Sequence, residues 1–212
     1  MRTLRYTFGT ISIAVAAIVL QSPVAQAASV RGPEYEGSFR SLQSDFTDCP
    51  TAPTSLPFDC SAVTVITFDT IETAGRTTVR SSNGYITSFH VRITGPGVFT
   101  ATPIAFGQGP IAIDQDGLRA ESLNGTVALD DGSSVTLGFS AKAAGAPTAY
   151  SGSATYPNAI CPSGTLSASW RGRYADASIK GGVALNGTAM VQTSAANTPR
   201  ISAEQDHGTC AP

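Results

Sequence analysis

This chain of 212 residues has few charged side chains and contains none of the familiar catalytic or metal-binding motifs. Charged residues make up 13% of the sequence, and no G-x-S-x-G elbow, phosphate-binding loop or zinc-type cysteine spacing occurs. The two histidines, His90 and His207, leave general acid–base chemistry few imidazoles to use. The sequence therefore predicts no metal and no cofactor, and it favours a non-enzymatic protein.

Basic residues are too few and too dispersed for nucleic-acid binding. The chain holds 13 Lys and Arg against 15 Asp and Glu, a formal net charge of −2. Proteins that bind a phosphate backbone concentrate lysine and arginine on one face. The sequence therefore predicts no nucleic-acid partner.

Long hydrophobic runs are also missing, apart from residues 11–20, which are too few to span a bilayer. This run follows Arg2 and Arg5, and small residues close the segment at Ala25 and Ala27. A basic start, an apolar middle and an A-x-A end are typical of a secretory signal peptide. The sequence thus predicts cleavage after residue 27 and a secreted or extracytoplasmic protein with no membrane span after cleavage. Residues 28–212 keep 11 basic and 15 acidic side chains, a formal charge of −4.

The four cysteines form an even set, which in an exported chain predicts two disulfides. Of the three possible pairings, we favour Cys49 with Cys60 and Cys161 with Cys210. The first would close a short proline-rich loop, and the second would tie the C-terminal segment to the body of the protein. In the entropic model, closing a short loop contributes about 3 kcal/mol.

Strand periodicity dominates the sequence after residue 61. In residues 85–93, Tyr85, Phe89, Val91 and Ile93 share one parity, and polar residues occupy much of the other. Nine to eleven such short segments predict an all-β fold, an antiparallel β-sandwich or flattened β-barrel. Residues 28–61 show little alternation and are interpreted as an extended arm with an edge strand near residues 36–42. Residues 62–212 are assigned to the β-domain, with an irregular tethered tail from residue 194.

Turn dipeptides allow the strand register to be predicted. A loop at Asp131-Gly132 places Val127 opposite Val135, so that the apolar faces of the two strands agree. A loop at Asn83-Gly84 passes the same test and predicts a second hairpin. Asn186-Gly187 has the same chemistry, but the parity of its flanking apolar residues continues through it. We therefore expect this dipeptide to lie inside a long strand.

Carboxylates are the candidates for catalysis, because a glycosidase needs two of them facing one cleft. Asp69 interrupts the apolar run of residues 63–68, and Asp114, Asp116 and Glu121 follow later in the chain. The alternative interpretation is that Asp69 ends a strand and that Asp116 belongs to an Asp-Gly turn. If Asp69 is catalytic, its replacement by Asn should abolish turnover.

The cluster around the single tryptophan is the candidate for binding. Trp170 and Tyr174 share one parity, and Arg171 and Arg173 share the other. Exposed aromatic rings stack on sugars, whereas a lone tryptophan in a β-domain is more often a core residue. The core interpretation is favoured for Trp170.

Taken together, these features predict a secreted or envelope-associated β-protein that binds a surface polysaccharide or another protein. One alternative is a carbohydrate-active hydrolase that uses two of the four carboxylates. Another is a closed barrel that holds a small apolar ligand in a cavity lined by residues such as Phe89, Leu137 and Trp170.

Overall fold

The computed structural model describes residues 34–50, 53–159, 161–192 and 198–210, and leaves the side chains of Glu34, Tyr35 and Glu121 undescribed. The predicted signal peptide lies outside these residues. Within them the chain forms eleven β-strands and no helix. The strands are β1 (Glu34–Thr47), β2 (Phe58–Ala74), β3 (Thr77–Gly95), β4 (Val98–Pro110), β5 (Ala112–Asp116), β6 (Arg119–Ala128), β7 (Ser134–Ala143), β8 (Thr148–Pro157), β9 (Thr165–Leu185), β10 (Thr188–Gln192) and β11 (Arg200–Cys210).

The strands form one large antiparallel sheet in the order β4-β3-β2-β1-β10-β9-β7-β6-β5. Two strands lie off this path: β11 pairs with β1 and β9, and β8 pairs with β9. The long strand β9 therefore pairs with two groups of strands. Its first half pairs with β8 and β11, and its second half pairs with β7 and β10. The predicted all-β antiparallel fold is confirmed.

The main core is formed largely by buried residues of β1–β3 and β5–β7. Ile111, between β4 and β5, contacts both groups, because its side chain lies against Gly84 of β3 and Gly125 of β6. The aromatic rings of Phe46 and Phe139 meet at a centroid distance of 5.3 Å. Other fully buried members of this core are Leu42, Val63, Val65, Ile86, Leu123, Val127 and Val135.

Both predicted disulfides are present. Cys49 and Cys60 are bonded with a Cα–Cα distance of 5.1 Å, and Cys161 and Cys210 with 5.2 Å. The first packs beside a small apolar cluster on the opposite face of β2 and β3. The second packs on Leu166 and joins the end of β11 to the turn that precedes β9. Among the described residues, no helix is long and apolar enough to cross a membrane.

Two segments that were expected to be peripheral lie in the middle of the sheet. β1 was predicted as a short edge strand, but it spans 14 residues and pairs with β2 on one side and with β11 on the other. β11 falls in the segment that was predicted to be an irregular tail, and it lies between β1 and β9. The full length of β1 and the whole of β11 were missed because polar residues fall on both faces of these strands, which weakens the period-2 signal.

The turn predictions were partly right. The Asp131-Gly132 hairpin has the expected register, with Val127 opposite Val135. Asn83-Gly84, in contrast, lies within β3, and the β2–β3 turn is at Gly75-Arg76. A Cβ at Gly84 would come within 3.1 Å of Ile111, so close packing, not a turn, requires this glycine.

Asn186-Gly187 is also different from expectation, since it forms the turn between β9 and β10. Asn186 and Gly187 have φ values of 49° and 81°, and both lie in the left-handed region that a two-residue hairpin loop needs. The turn places Val183 opposite Met190, and both are buried, whereas Val191 is exposed. The parity shared by Val183 and Val191 in the sequence therefore does not correspond to one face of the sheet.

Candidate functional site

The apolar inward face of β2 ends at Asp69, a fully buried carboxylate. Asp69 is 1% exposed and shares its face with Val65 of the core. Arg40 Nη1 lies 3.4 Å from Asp69 Oδ2, and Arg80 Nε lies 3.3 Å from Asp69 Oδ1. Ser82 Oγ donates a hydrogen bond of 2.6 Å to Asp69 Oδ1. Two guanidinium groups and a hydroxyl thus surround a carboxylate that solvent does not reach.

Gln115 of β5 links this cluster to β5 and β11. Its backbone carbonyl accepts a hydrogen bond from Arg40 Nη1. Its side-chain Nε2 donates to the carbonyl of Gly117 at 3.0 Å and to the carbonyl of Ser202 at 3.2 Å. Asp69, Arg40 and Gln115 therefore tie β2, β1, β5 and β11 together where the apolar core stops.

The other candidate carboxylates lie apart from Asp69. Asp114 and Asp116 are exposed on β5, and the residue between them, Gln115, is the one that points inward. Strand alternation therefore directs both carboxylates away from the Asp69 cluster. Glu121 belongs to β6, and its side chain is outside the described residues.

A polar groove of about 940 Å³ begins beyond the Asp69 cluster, on the inward face of β2, β1, β11, β9 and β8. Its side chains can be assigned from register, because residues two apart on a strand share a face. Glu36 and Ser38 share the face of Leu42, and Gln205 and His207 share the face of Ile201. The lining residues whose side chains register assigns to this face are Glu36, Ser38, Ile71, Thr73, Ser151, Ser153, Ser169, Arg171, Gln205 and His207. Four residues that alternate with them also line the groove: Gly37, Gly152, Trp170 and Asp206.

The ten residues that register assigns to this face form two parallel rows across five strands. In the first row, Ile71, Ser38, Gln205, Arg171 and Ser151 are successive cross-strand partners. In the second row, the successive partners are Thr73, Glu36, His207, Ser169 and Ser153. Ile71 is the one apolar side chain among these ten, so the groove surface consists mainly of hydroxyl, amide and charged groups.

Arg171 is held in place at the centre of the groove. Its Nε and Nη2 atoms donate hydrogen bonds of 3.2 and 3.1 Å to Oε1 of Gln205. Arg173 is on the same face, two residues further along β9, and is not part of the groove lining. Arg171 and Arg173 share a face in the sequence pattern, but of the two it is Arg171 that lines the groove.

The aromatic candidates lie on the opposite face of the same strands. Trp170 is half-buried, not a core residue as expected, and its indole lies across Gly152 of β8. A Cβ at Gly152 would be 2.5 Å from the indole. Tyr150 covers Gly172 in the same way, and its ring centroid is 6.1 Å from that of Tyr174.

This aromatic face also carries charged partners. The guanidinium carbon of Arg200 lies 4.9 Å from the ring centroid of Tyr174, a cation–π geometry. Burial raises the pKa of the Tyr150 hydroxyl, and a hydrogen bond and charge repulsion from Glu204 raise it further. The rings therefore pack on the sheet, and the predicted opposition of Trp170 and Tyr174 to the two arginines agrees with the strand register.

The cavity expected for a small apolar ligand does not form from the named residues. Leu137 belongs to the main core, Phe89 to the small cluster beside the first disulfide, and Trp170 to the aromatic face. Asp48, Cys49 and Cys60 have potential metal ligand atoms within 4.8 Å of one another. The two sulfurs are bonded to each other, however, and Asp48 accepts a hydrogen bond from the Ser61 amide, so this group does not offer free thiolates.

Sequence reasoning missed most of the groove. Glu36 and Ser38 were placed in an arm, and Gln205 and His207 in a tail. Each pair alternates with residues of the opposite face that are also polar or small, and so no local pattern marks it. Arg171 was identified because it stands beside the tryptophan.

Comparisons with known proteins give one weak structural likeness. No protein-family model and no curated protein matches this sequence. Among solved structures, the chain is similar to an AttH-like protein from Nitrosomonas europaea, with 8% sequence identity and a TM-score of 0.30. The match covers 84% of this chain and 52% of that protein, so the chain spans about half of that protein's length. A likeness at this level carries no functional argument.

Proposed function

We propose that this protein is an extracytoplasmic binding protein whose polar groove binds a hydroxyl-rich polymer, such as a segment of cell-surface polysaccharide. The observation that carries the proposal is the two-row lining of the groove, in which nine of ten side chains are polar. A groove with this surface suits a ligand that offers many hydrogen-bonding groups.

The chemistry of the lining supports a sugar more than an apolar ligand. Serine and threonine hydroxyls both donate and accept hydrogen bonds, which matches the hydroxyl groups of a sugar. An apolar ligand would leave these groups unpaired on binding, at a cost of about 1–3 kcal/mol for each buried group. Glu36 and Arg171 add one acceptor group and one donor group of opposite charge.

The location of the protein is supported by its cysteines and its N-terminal sequence. Two disulfides are compatible with an oxidising compartment. Residues 1–27 have the layout of a signal peptide, and we propose that they direct export. A groove for surface polymers would then be in the compartment where such polymers occur.

Binding can be tested with labelled hexasaccharides of a neutral glucan, of chitin and of a uronate, and with labelled peptidoglycan. We expect retention of at least one probe, and we expect Arg171→Ala to weaken it about tenfold, because hydrogen bonds from a charged group contribute roughly 1.5–3 kcal/mol. The matched control is Arg173→Ala, on the same strand and face but outside the groove. Equal loss of binding in both variants would contradict the groove assignment, as would no retention of any probe.

The same assay separates binding from hydrolysis. Release of small fragments would favour the hydrolase alternative, and Asp69→Asn would then be the first variant to measure for loss of turnover. Retention without release supports a binding protein.

A further inference from the structure

The described sheet has three edge strands, and they differ in how they are protected. Edge strands expose unpaired backbone groups and are usually protected by charge, proline, bulges or short length. β5 is five residues long and carries Asp114 and Asp116. β4 contains Pro103, and the amide and carbonyl of its Phe106 bond to Asp130. Both of these edges therefore carry protection.

β8 has none of these protections. Within the described residues it pairs with β9 alone, over ten residues in continuous register. Its sequence, TAYSGSATYP, contains no charged residue, and its proline is the final residue of the strand. β8 is thus a long, neutral edge that can accept a further strand.

The sequence of β8 is chemically symmetric about Ser153. Residues 150–156 read aromatic, hydroxyl, small, hydroxyl, small, hydroxyl, aromatic. An antiparallel copy of this segment, centred on Ser153, would pair each residue with one of its own kind. It would place Tyr150 opposite Tyr156 on one face, and aromatic cross-strand pairs stabilise sheets.

We infer that β8 binds β8 of a second copy of this chain, antiparallel and about a two-fold axis at Ser153. The symmetry of the strand favours a second copy over an unrelated peptide, because a two-fold interface requires one surface to complement itself. Tyr156 has 40% of its surface exposed, which leaves it available for this contact.

This pairing would also change the groove. Ser151 and Ser153 form the border of the groove at the free edge. A two-fold axis perpendicular to the sheet keeps the same face of both copies on one side. The two grooves would therefore adjoin and form one continuous polar surface across the pair.

The inference is tested by the oligomeric state of the purified, disulfide-bonded protein without ligand. Light scattering coupled to size exclusion, up to about 100 μM, detects dimers with a Kd in the micromolar range. We expect a dimer for the wild type and a monomer for Ser153→Lys, since like charges directly opposite each other destabilise strand pairing. The matched control is Ser169→Lys, because Ser169 is the direct partner of Ser153 on β9, lies on the same face, is exposed and lines the same groove.

Each outcome decides the question. A wild-type dimer that persists in Ser169→Lys and is lost in Ser153→Lys supports the β8 interface. A monomeric wild type at the highest concentration contradicts it, and so does a dimer that Ser153→Lys leaves intact. Loss of the dimer in both variants, with unchanged circular dichroism, would also contradict it. The measurement needs no glycan, so its failure is distinct from a failure of the proposed function.

Discussion

The two halves of β9 show how differently one sheet is used at its two ends. From Ala175 onward, β9 contributes Ala177 and Val183 to the main core, and Ile179 and Leu185 pack against it. Between Leu166 and Tyr174, its two faces carry the polar groove and the aromatic face. The hydrogen-bonding register continues from one half to the other. The comparison shows that both halves of β9 share backbone pairing, whereas only the second half contributes to the main apolar core.

The packed end should be the more sensitive to loss of apolar volume. Leu123→Ala removes a fully buried side chain from the main core. We expect a loss of about 3 kcal/mol in the free energy of unfolding, from lost burial and the cavity that remains. Ile71→Ala, a half-buried residue of the groove, should lose about 1 kcal/mol. Urea denaturation measures both, and equal losses would show that the two ends are packed alike.

At the boundary between the two ends, the negative charge of Asp69 should contribute to the free energy of unfolding. Asp69→Asn leaves Arg40 and Arg80 without their carboxylate, and the side chains of these arginines are 23% and 54% exposed. We expect a loss of about 2 kcal/mol, below the value for a fully buried pair because solvent reaches both guanidinium groups. Asp114→Asn, on the exposed face of β5, should change stability by less than about 0.5 kcal/mol. A loss below that limit for Asp69→Asn would contradict the role of the cluster.

The smallest effect on the unfolding free energy is expected at the aromatic face, and this effect should depend on pH. The pKa of Tyr150 is raised above its usual 10.0 in the folded protein, so folding favours the protonated hydroxyl. This contribution is fully present below pH 10 and is lost as the pH rises towards the higher folded pKa. We expect the unfolding free energy of the wild type to fall more steeply above pH 10 than that of Tyr150→Phe. Parallel curves would show that folding does not raise the pKa of Tyr150.

The packed end could be predicted from the sequence better than the open end. Val127 and Val135 were paired correctly, because their strands are adjacent and each has one apolar face. The length and central position of β1 and the whole of β11 were missed, because at the open end neither face is consistently apolar. The register Glu36–His207 joins residues distant in sequence, and no local pattern encodes it.

The glycine dipeptides show a second limit of local reasoning. Gly84 and Gly187 both follow an asparagine, yet the first lies in a strand and the second in a turn. The difference arises from Ile111, in the link between β4 and β5, whose side chain packs on Gly84. Only the tertiary fold supplies that contact.

The position of β11 has a consequence for the order of assembly. β11 lies between β1 and the first half of β9, so residues 200–210 join two earlier strands, of which β1 is far away in the sequence. Until those residues emerge, β1 and β9 each expose an unpaired edge in what becomes the centre of the sheet. Because such long-range pairing is slow to form, an incomplete chain would be open to mispairing. We therefore expect β11 to join β1 to β9 late in folding.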